Sequence, residues 1–113
     1  MKCMSFNCRG MASASKKLAL QRLFEVELID IILLQETLGL ADHITRSLQS
    51  LASSWTFVAI DVVGRSGVLA IGYNPRSIRV DASWEGTGFM GIDIFSAELD
   101  KNLRIVNAYG PCH

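Results

Sequence analysis

Three polar side chains in this sequence stand where apolar or alternating segments end, and their types could do chemistry together. Asn7 follows the mixed apolar segment 1–6, Glu36 closely follows the apolar run 29–34, and Tyr109 comes just before Gly110-Pro111. Carboxylate and amide oxygens are ligands that Mg²⁺ accepts when a substrate phosphate completes its shell. A tyrosine hydroxyl can donate a hydrogen bond to a phosphate oxygen. The three are therefore candidates for a metal and phosphate site.

The residue types alone leave simpler interpretations open. Glu36 could be a solvated carboxylate at a strand end, or it could pair with a nearby cation such as Arg9. Tyr109 could be an amphipathic aromatic residue that keeps its hydroxyl in water. His43 is expected on the surface of a helix and His113 at a free terminus, so neither is assigned a catalytic role.

The elements around Asn7 and Glu36 form a predicted strand, helix and strand. Segment 1–6 is the first strand, and a helix capped by Ser13 or Ser15 follows it. The run 29–34 is rich in β-branched residues and predicts a strand buried on both faces. Two such strands in one sheet are parallel, so their carboxyl ends meet at one edge, which is where open α/β sheets bind ligands. We therefore expect Asn7 and Glu36 to converge. The apolar positions of the helix are Leu20, Leu23, Phe24 and Leu28.

The rest of the chain predicts one more helix and then several strands. Leu40, Ile44, Leu48 and Leu51 have helical spacing. Later residues alternate with a period of two, and Gly64–Gly67 reads as the turn of a hairpin. Alternation in Ile78–Glu85 predicts a strand with one solvated face. In the connection Asp100-Lys101-Asn102, Asn102 is expected to adopt the left-handed conformation. The other predicted strands are Trp55–Val62, Val68–Tyr73, Phe89–Leu99 and Leu103–Ala108.

Composition limits the class of protein. The 113 residues suit one domain or part of one, and half of them are hydrophobic. Eleven basic and eleven acidic residues give a net charge of zero, which supplies no long-range attraction to nucleic acid. No run approaches the ~20 apolar residues of a membrane span, and no secretion signal is present, so an intracellular protein is expected. The three cysteines lack zinc or disulfide spacing and are expected to be reduced: Cys3, Cys8 and Cys112.

Four motifs in order resemble a known superfamily. They are SFNCRG at 5–10, LLQET at 33–37, GRSGVLAIGYN at 64–74 and NAYGP at 107–111. Together they resemble the N-terminal half of the endonuclease/exonuclease/phosphatase superfamily. The likeness is greatest to the endonuclease domain of plant non-LTR (LINE-type) retrotransposons. The resemblance implies a DNase I-like α/β fold, a sandwich of two sheets covered by helices, with a βαβ start and mainly antiparallel strands after it.

The resemblance also implies roles for single residues. Glu36 corresponds to the metal-binding glutamate, Asn7 to the asparagine at the metal and phosphate site, and Tyr109 to the active-site tyrosine that contacts the phosphate. The implied cofactor is Mg²⁺, with Mn²⁺ as the substitute, and the implied partner is nucleic acid. Arg65 and Ser66 resemble part of a loop on the substrate side.

The sequence departs from the family pattern in ways that bear on activity. Leu38 stands where a basic residue or histidine is usual, and Gly67-Val68 stands where Gly-Gly is common. The family's Asp-x-Asn segment and closing Asp-His pair have no counterpart in 1–113, which is therefore expected to be a partial domain, inactive by itself. The alternative is a noncatalytic fragment that acts as a binding or interaction module through uncovered apolar surface.

Overall fold

The computed structural model describes residues 1–8, 14–25, 27–35, 37, 40–62 and 67–108. Two helices and seven strands lie within these ranges. In chain order they are β1 Cys3–Asn7, α1 Ala14–Glu25, β2 Ile31–Gln35, α2 Ala41–Leu51, β3 Thr56–Asp61, β4 Val68–Tyr73, β5 Ile78–Gly86, β6 Phe89–Ser96 and β7 Lys101–Ala108.

The strands form two sheets, which confirms the predicted mixed α/β class. The first sheet has the order β1-β2-β4-β3, and the second has the order β5-β6-β7. β1 and β2 are parallel, whereas β2 with β4 and β3 with β4 are antiparallel. The second sheet is antiparallel throughout. The predicted βαβ start and the predicted β3–β4 hairpin pairing are therefore both present.

The core lies in two layers, one on each side of the four-stranded sheet. The outer layer is formed by the apolar faces of both described helices against this sheet, and it includes Leu20, Leu48, Trp55 and Phe57. The inner layer lies between the sheets. It is formed largely by aliphatic side chains of β2, β4 and β6. None of the described helices is long and apolar enough to cross a membrane.

Three local predictions are wrong, each for a physical reason. α1 ends at Glu25, and Leu28 beyond it is 88% exposed rather than part of the buried stripe. Asp100, not Asn102, has the positive φ of 51°, because pairing in β7 already includes Asn102. In β5 a bulge between Val80 and Ala82 breaks the alternation.

The bulge in β5 changes which face its tryptophan occupies. Ile78 and Val80 pair with Ser96 and Ile94 on the inner face, but beyond the bulge Trp84 pairs with Gly91 on the outer face. An extra residue in one strand shifts every later side chain to the other face. Strict alternation therefore placed Trp84 on the wrong side.

Two leucines of α1 provide a direct test of the packing in the outer core layer. Leu20 has no exposed surface, whereas Leu18 on the same helix is 50% exposed. Leu20→Ala should lower the free energy of unfolding by about 2–5 kcal/mol, because it removes buried methyl groups and leaves a cavity. Leu18→Ala, the matched control, should change it by less than about 0.5 kcal/mol. Urea denaturation followed by circular dichroism measures both, and equal losses would contradict the described packing.

Candidate functional site

The carboxyl ends of β1 and β2 lie side by side, as predicted. Asn7 is the parallel partner of Gln35, and the pairing continues because the Cys8 amide donates to the Gln35 carbonyl over 2.9 Å. Asn7 is exposed, and its side chain lies on the same face of the sheet as that of Gln35. This face looks toward the second sheet. The edge at which a ligand was expected therefore exists, and Asn7 lies on it.

A hydrogen-bond network centred on the buried Asn107 ties this edge to the second sheet. The Gln35 side-chain amide donates to Oδ1 of Asn107 over 2.8 Å and to Oγ of Ser5 over 3.0 Å. The Asn107 amide donates to the backbone carbonyls of Leu34 over 3.1 Å and Ala70 over 2.8 Å. One side chain of β7 thus holds β2 and β4 directly, and β1 through Gln35.

Asn107 is satisfied although it is buried. It is 1% exposed, and both ends of its amide group have partners. An unpaired amide in such a place would carry a full desolvation cost, so complete pairing is what makes the polar residue tolerable there. The network therefore fixes the position of β7 along the strand direction relative to β2 and β4.

The chain on the far side of Glu36 is anchored as well. Thr37 is fully buried, and its hydroxyl donates to the Val68 carbonyl over 2.9 Å. The regular β2–β4 ladder ends at the pair Leu34 and Ala70. The Thr37–Val68 contact therefore ties the chain beyond β2 to the start of β4.

Several predicted site residues lie outside the described residues. These are Glu36, Tyr109, Arg65, Ser66 and His113. The convergence of Asn7 with Glu36 therefore stays a prediction. His43 is described, and it is exposed on α2, as expected.

The side-chain oxygens described at this edge are of a type that binds hard cations, but they carry no negative charge. Asn7, Gln35 and Ser5 offer neutral oxygens, and the Gln35 and Ser5 side chains already bond to each other. Within the described part of the chain, no three His, Cys, Asp or Glu side chains are grouped as a metal site. Divalent cations in proteins need at least one carboxylate in most oxygen-rich sites. Glu36 is the carboxylate predicted for this edge, and it lies outside the described residues.

Four ion pairs lie elsewhere in the described part of the structure. Arg104 hydrogen-bonds Asp93 over 2.8 Å and lowers the pKa of that carboxyl, while Lys2 does the same to the pKa of Glu27. Next to Asn7, burial raises the pKa of the Cys8 thiol to about 11, against a smaller opposing effect of the Lys16 ammonium. Cys8 is therefore a neutral thiol at ordinary pH, and it is a poor nucleophile and metal ligand in that form.

Gln35 and Asn107 were present in the motifs but were not assigned a role from sequence. One signal could have identified Asn107. It follows Leu103 and Ile105 at intervals of two, so strand alternation places it among inward-facing aliphatic residues. A polar side chain at an inward position needs a partner, and the apolar run of β2 ends in one, Gln35.

Comparison with solved structures shows which fold this is. The chain is similar to humanized D. rerio TDP2 (TM-score 0.72, 13% identity), covering 91% of this chain and 47% of that one. It is similar to an endonuclease/exonuclease/phosphatase protein from Bacteroides vulgatus (TM-score 0.67, 14% identity), with 91% and 49% covered. It is also similar to the human Nocturnin catalytic domain, a structure with a bound sulfate anion (TM-score 0.68, 12% identity), with 89% and 46% covered.

These comparisons establish a partial DNase I-like fold, as the endonuclease/exonuclease/phosphatase proteins have it. The chain spans about half the length of the solved structures just described. No protein-family model matches the sequence, and no curated protein matches it significantly.

The buried network can be tested by one near-isosteric substitution. Asn107→Leu removes the donor to Leu34 and Ala70 and takes away one of the two acceptors of the Gln35 amide. It should destabilise the protein by about 1–3 kcal/mol for each buried polar group left unpaired. Asn102→Leu is the matched control, because Asn102 is exposed on the same strand, and it should change stability by less than about 0.5 kcal/mol. Chemical denaturation measures both. A neutral Asn107→Leu would show that the network contributes nothing.

Proposed function

We propose that this chain carries the metal corner of a metal-dependent phosphodiesterase of the endonuclease type. The observation that carries the proposal is the anchoring of β2 around its end. Gln35 is held by Asn107 and Ser5, and Thr37 is held by Val68. The residue between them is Glu36, and Asn7 lies beside Gln35 in register. A carboxylate placed there would have rigid neighbours in the chain on both sides.

Within this proposal, Glu36 and Asn7 would hold Mg²⁺ or Mn²⁺ through oxygen ligands. A cation at this edge would polarise a phosphoryl oxygen and stabilise the leaving oxygen of a phosphodiester. Asn7 is exposed, so its amide is accessible to a ligand at the open edge. Tyr109 follows Asn107 by two residues, and its hydroxyl would donate a hydrogen bond to a phosphate oxygen.

Two of the solved structures support chemistry on tetrahedral anions. The Nocturnin catalytic domain binds sulfate, and ANGEL2, which resembles this chain with a TM-score of 0.57 and 15% identity, is a 2′,3′-cyclic phosphatase. We propose a phosphodiester of nucleic acid as the substrate class. The motif resemblance to LINE-type endonucleases favours this choice, whereas the neutral overall charge adds no long-range attraction.

We further propose that residues 1–113 form a partial domain that is inactive alone. Phosphodiester hydrolysis needs a group that takes a proton from water and another that neutralises charge on the phosphoryl oxygens. His43 is exposed on α2, and Asp93 is paired with Arg104 in the second sheet. Neither is placed at the Asn7 edge, and the resemblance assigns the base to the Asp-x-Asn and Asp-His segments, which have no counterpart in 1–113.

A second candidate function is that of a noncatalytic, retrotransposon-derived binding module. It is favoured by the strand order, in which β1 and β7 each end a sheet. Terminal strands offer unpaired backbone groups to another polypeptide. The two functions differ in one requirement, because a binding module has no need of Glu36.

Metal binding distinguishes these functions. Titration of the chain with Mn²⁺ and then Mg²⁺, followed by calorimetry, should show a single weak site. Glu36→Gln should reduce its affinity by about tenfold or more, since even indirect partners of a metal ligand are worth 10–100-fold. Glu25→Gln, which removes an exposed carboxylate on α1, is the control and should bind as the wild type does. Equal affinities in all three proteins would exclude Glu36 as a ligand.

Nuclease activity is the second test. The 113-residue chain should not nick plasmid or cleave abasic duplex DNA in Mg²⁺. Loss of a positioned general base alone costs a factor of about 10²–10⁴ in rate. Gel analysis after long incubation measures this, with Glu36→Ala as the control. Metal-dependent nicking by the wild type that disappears in Glu36→Ala would show that this half is sufficient, and the expectation of inactivity would then be wrong.

A further inference from the structure

The orientation of the Asn107 amide is set by two backbone carbonyls. The carbonyls of Leu34 and Ala70 can only accept hydrogen bonds, so Asn107 must turn its NH₂ group toward them. The two distances are 3.1 and 2.8 Å. Both N–H bonds of Asn107 are used in this way, and its Oδ1 therefore faces away from these carbonyls.

That oxygen in turn sets the orientation of the Gln35 amide. Oδ1 of Asn107 can only accept, and Gln35 presents its own NH₂ group to it over 2.8 Å. The second N–H bond of Gln35 donates to Oγ of Ser5 over 3.0 Å. Turning the Gln35 amide over would bring two oxygens together and leave the buried acceptor of Asn107 unpaired. The Gln35 amide therefore has one favourable orientation.

This orientation leaves Gln35 with acceptor capacity and no free donor. Within the described part of the chain, Oε1 of Gln35 accepts from the Ser5 hydroxyl over 3.3 Å, which is long for an O–H···O bond. A carbonyl oxygen has two lone pairs, so this contact does not saturate it. Because the nitrogen of the amide is bonded to β7, Oε1 lies on the side of β1.

The oxygen of Gln35 lies at the edge where a cation is proposed. Gln35 is the register partner of Asn7, and both side chains are on the face that looks toward the second sheet. Neighbouring strands are about 4.8 Å apart. An ion held by Asn7 would therefore be within reach of Gln35 through one water molecule.

The kind of group that Gln35 presents discriminates between ligands. Phosphate oxygens need hydrogen-bond donors, and both donors of this amide are already engaged. A hydrated cation has the opposite requirement, because its waters need acceptors for their hydrogens. Mg²⁺ in proteins usually keeps several of its waters. Gln35 is therefore suited to the cation and not to the phosphate.

We propose that Gln35 is a positioning residue of the cation site. Its Oε1 accepts a hydrogen bond from a water that Mg²⁺ or Mn²⁺ holds beside Asn7. This role rests on the phosphodiesterase function proposed above, which supplies the cation. Asn107 is the buried end of the same chain of hydrogen bonds, and it keeps the Gln35 oxygen oriented before the ion enters. Indirect partners of this kind are worth about 10–100-fold in metal affinity.

Two substitutions of Gln35 separate this role from a purely structural one. Gln35→Met and Gln35→Glu both remove the N–H donor to Asn107, but Gln35→Glu keeps an acceptor oxygen at the end of the side chain. In calorimetric titrations with Mn²⁺, Gln35→Met should bind about tenfold more weakly than the wild type or worse. Gln35→Glu should bind at least as tightly as the wild type. A purely structural role predicts that both variants weaken binding.

The added charge and the fold of each variant need controls. Titration in about 1 M potassium chloride reduces the Debye length to about 3 Å, which screens a carboxylate that attracts the ion only from a distance. Gln21→Met and Gln21→Glu make the same changes on α1 and should bind as the wild type does. Circular dichroism and melting curves verify that every variant is folded.

The wild type provides a measurement that needs no variant. In isotope-labelled protein, the side-chain NH₂ resonances of Gln35 should shift as Mg²⁺ is added, because a donor to Oε1 polarises the whole amide, whereas those of Gln21 should not move. Three results would overturn this role and leave the proposed function standing: unshifted Gln35 resonances in a chain that binds Mg²⁺, full affinity in Gln35→Met, or equal weakening in both folded Gln35 variants. No metal binding by the wild type, or an unchanged affinity in Glu36→Gln, would overturn the proposed function and this role together.

Discussion

The position of one sheet relative to the other along the strand direction depends on one buried side chain, the amide of Asn107. Apolar packing sets how far apart two sheets lie, but it is non-directional and tolerates sliding along the strands. Hydrogen bonds from Asn107 to Leu34 and Ala70, at 3.1 and 2.8 Å, have a defined direction and length. They place the carboxyl ends of β2 and β7 at the same height. Everything proposed for this edge of the sandwich requires that alignment.

The same amide links the parts of the sequence that the resemblance singled out. Gln35 precedes Glu36 in one motif, and Asn107 precedes Tyr109 in another. The hydrogen bond between Gln35 and Asn107 therefore joins two motifs that are 72 residues apart in the chain. A polar network that is fully satisfied specifies one arrangement of the elements around it, since any slip leaves buried groups unpaired. The motifs thus have a structural role at this edge whatever chemistry occurs there.

Much of the architecture could be predicted from sequence because periodicity reports on single elements. The βαβ start, α2 and the strands after Trp55 all appear near their predicted positions. The Gln35–Asn107 contact could not be predicted in the same way. Its partners belong to different sheets, and nothing in either segment indicates which distant residue completes the pair. The bulge in β5 was also missed, because an alternating pattern looks the same whether or not one residue is inserted opposite the next strand.

The position of Trp84 beyond that bulge separates the two tryptophans of the chain. Trp55 is buried in the outer core layer, 4.9 Å from the ring of Phe24. Trp84 lies on the other side of the molecule, where its ring covers Gly91, meets Phe89 at 5.8 Å and has Arg104 5.2 Å from its centroid. Each sheet therefore carries its own fluorophore, one shielded by hydrocarbon and one beside a guanidinium. Emission spectra of the two single-tryptophan proteins would record separately how each half of the sandwich loosens.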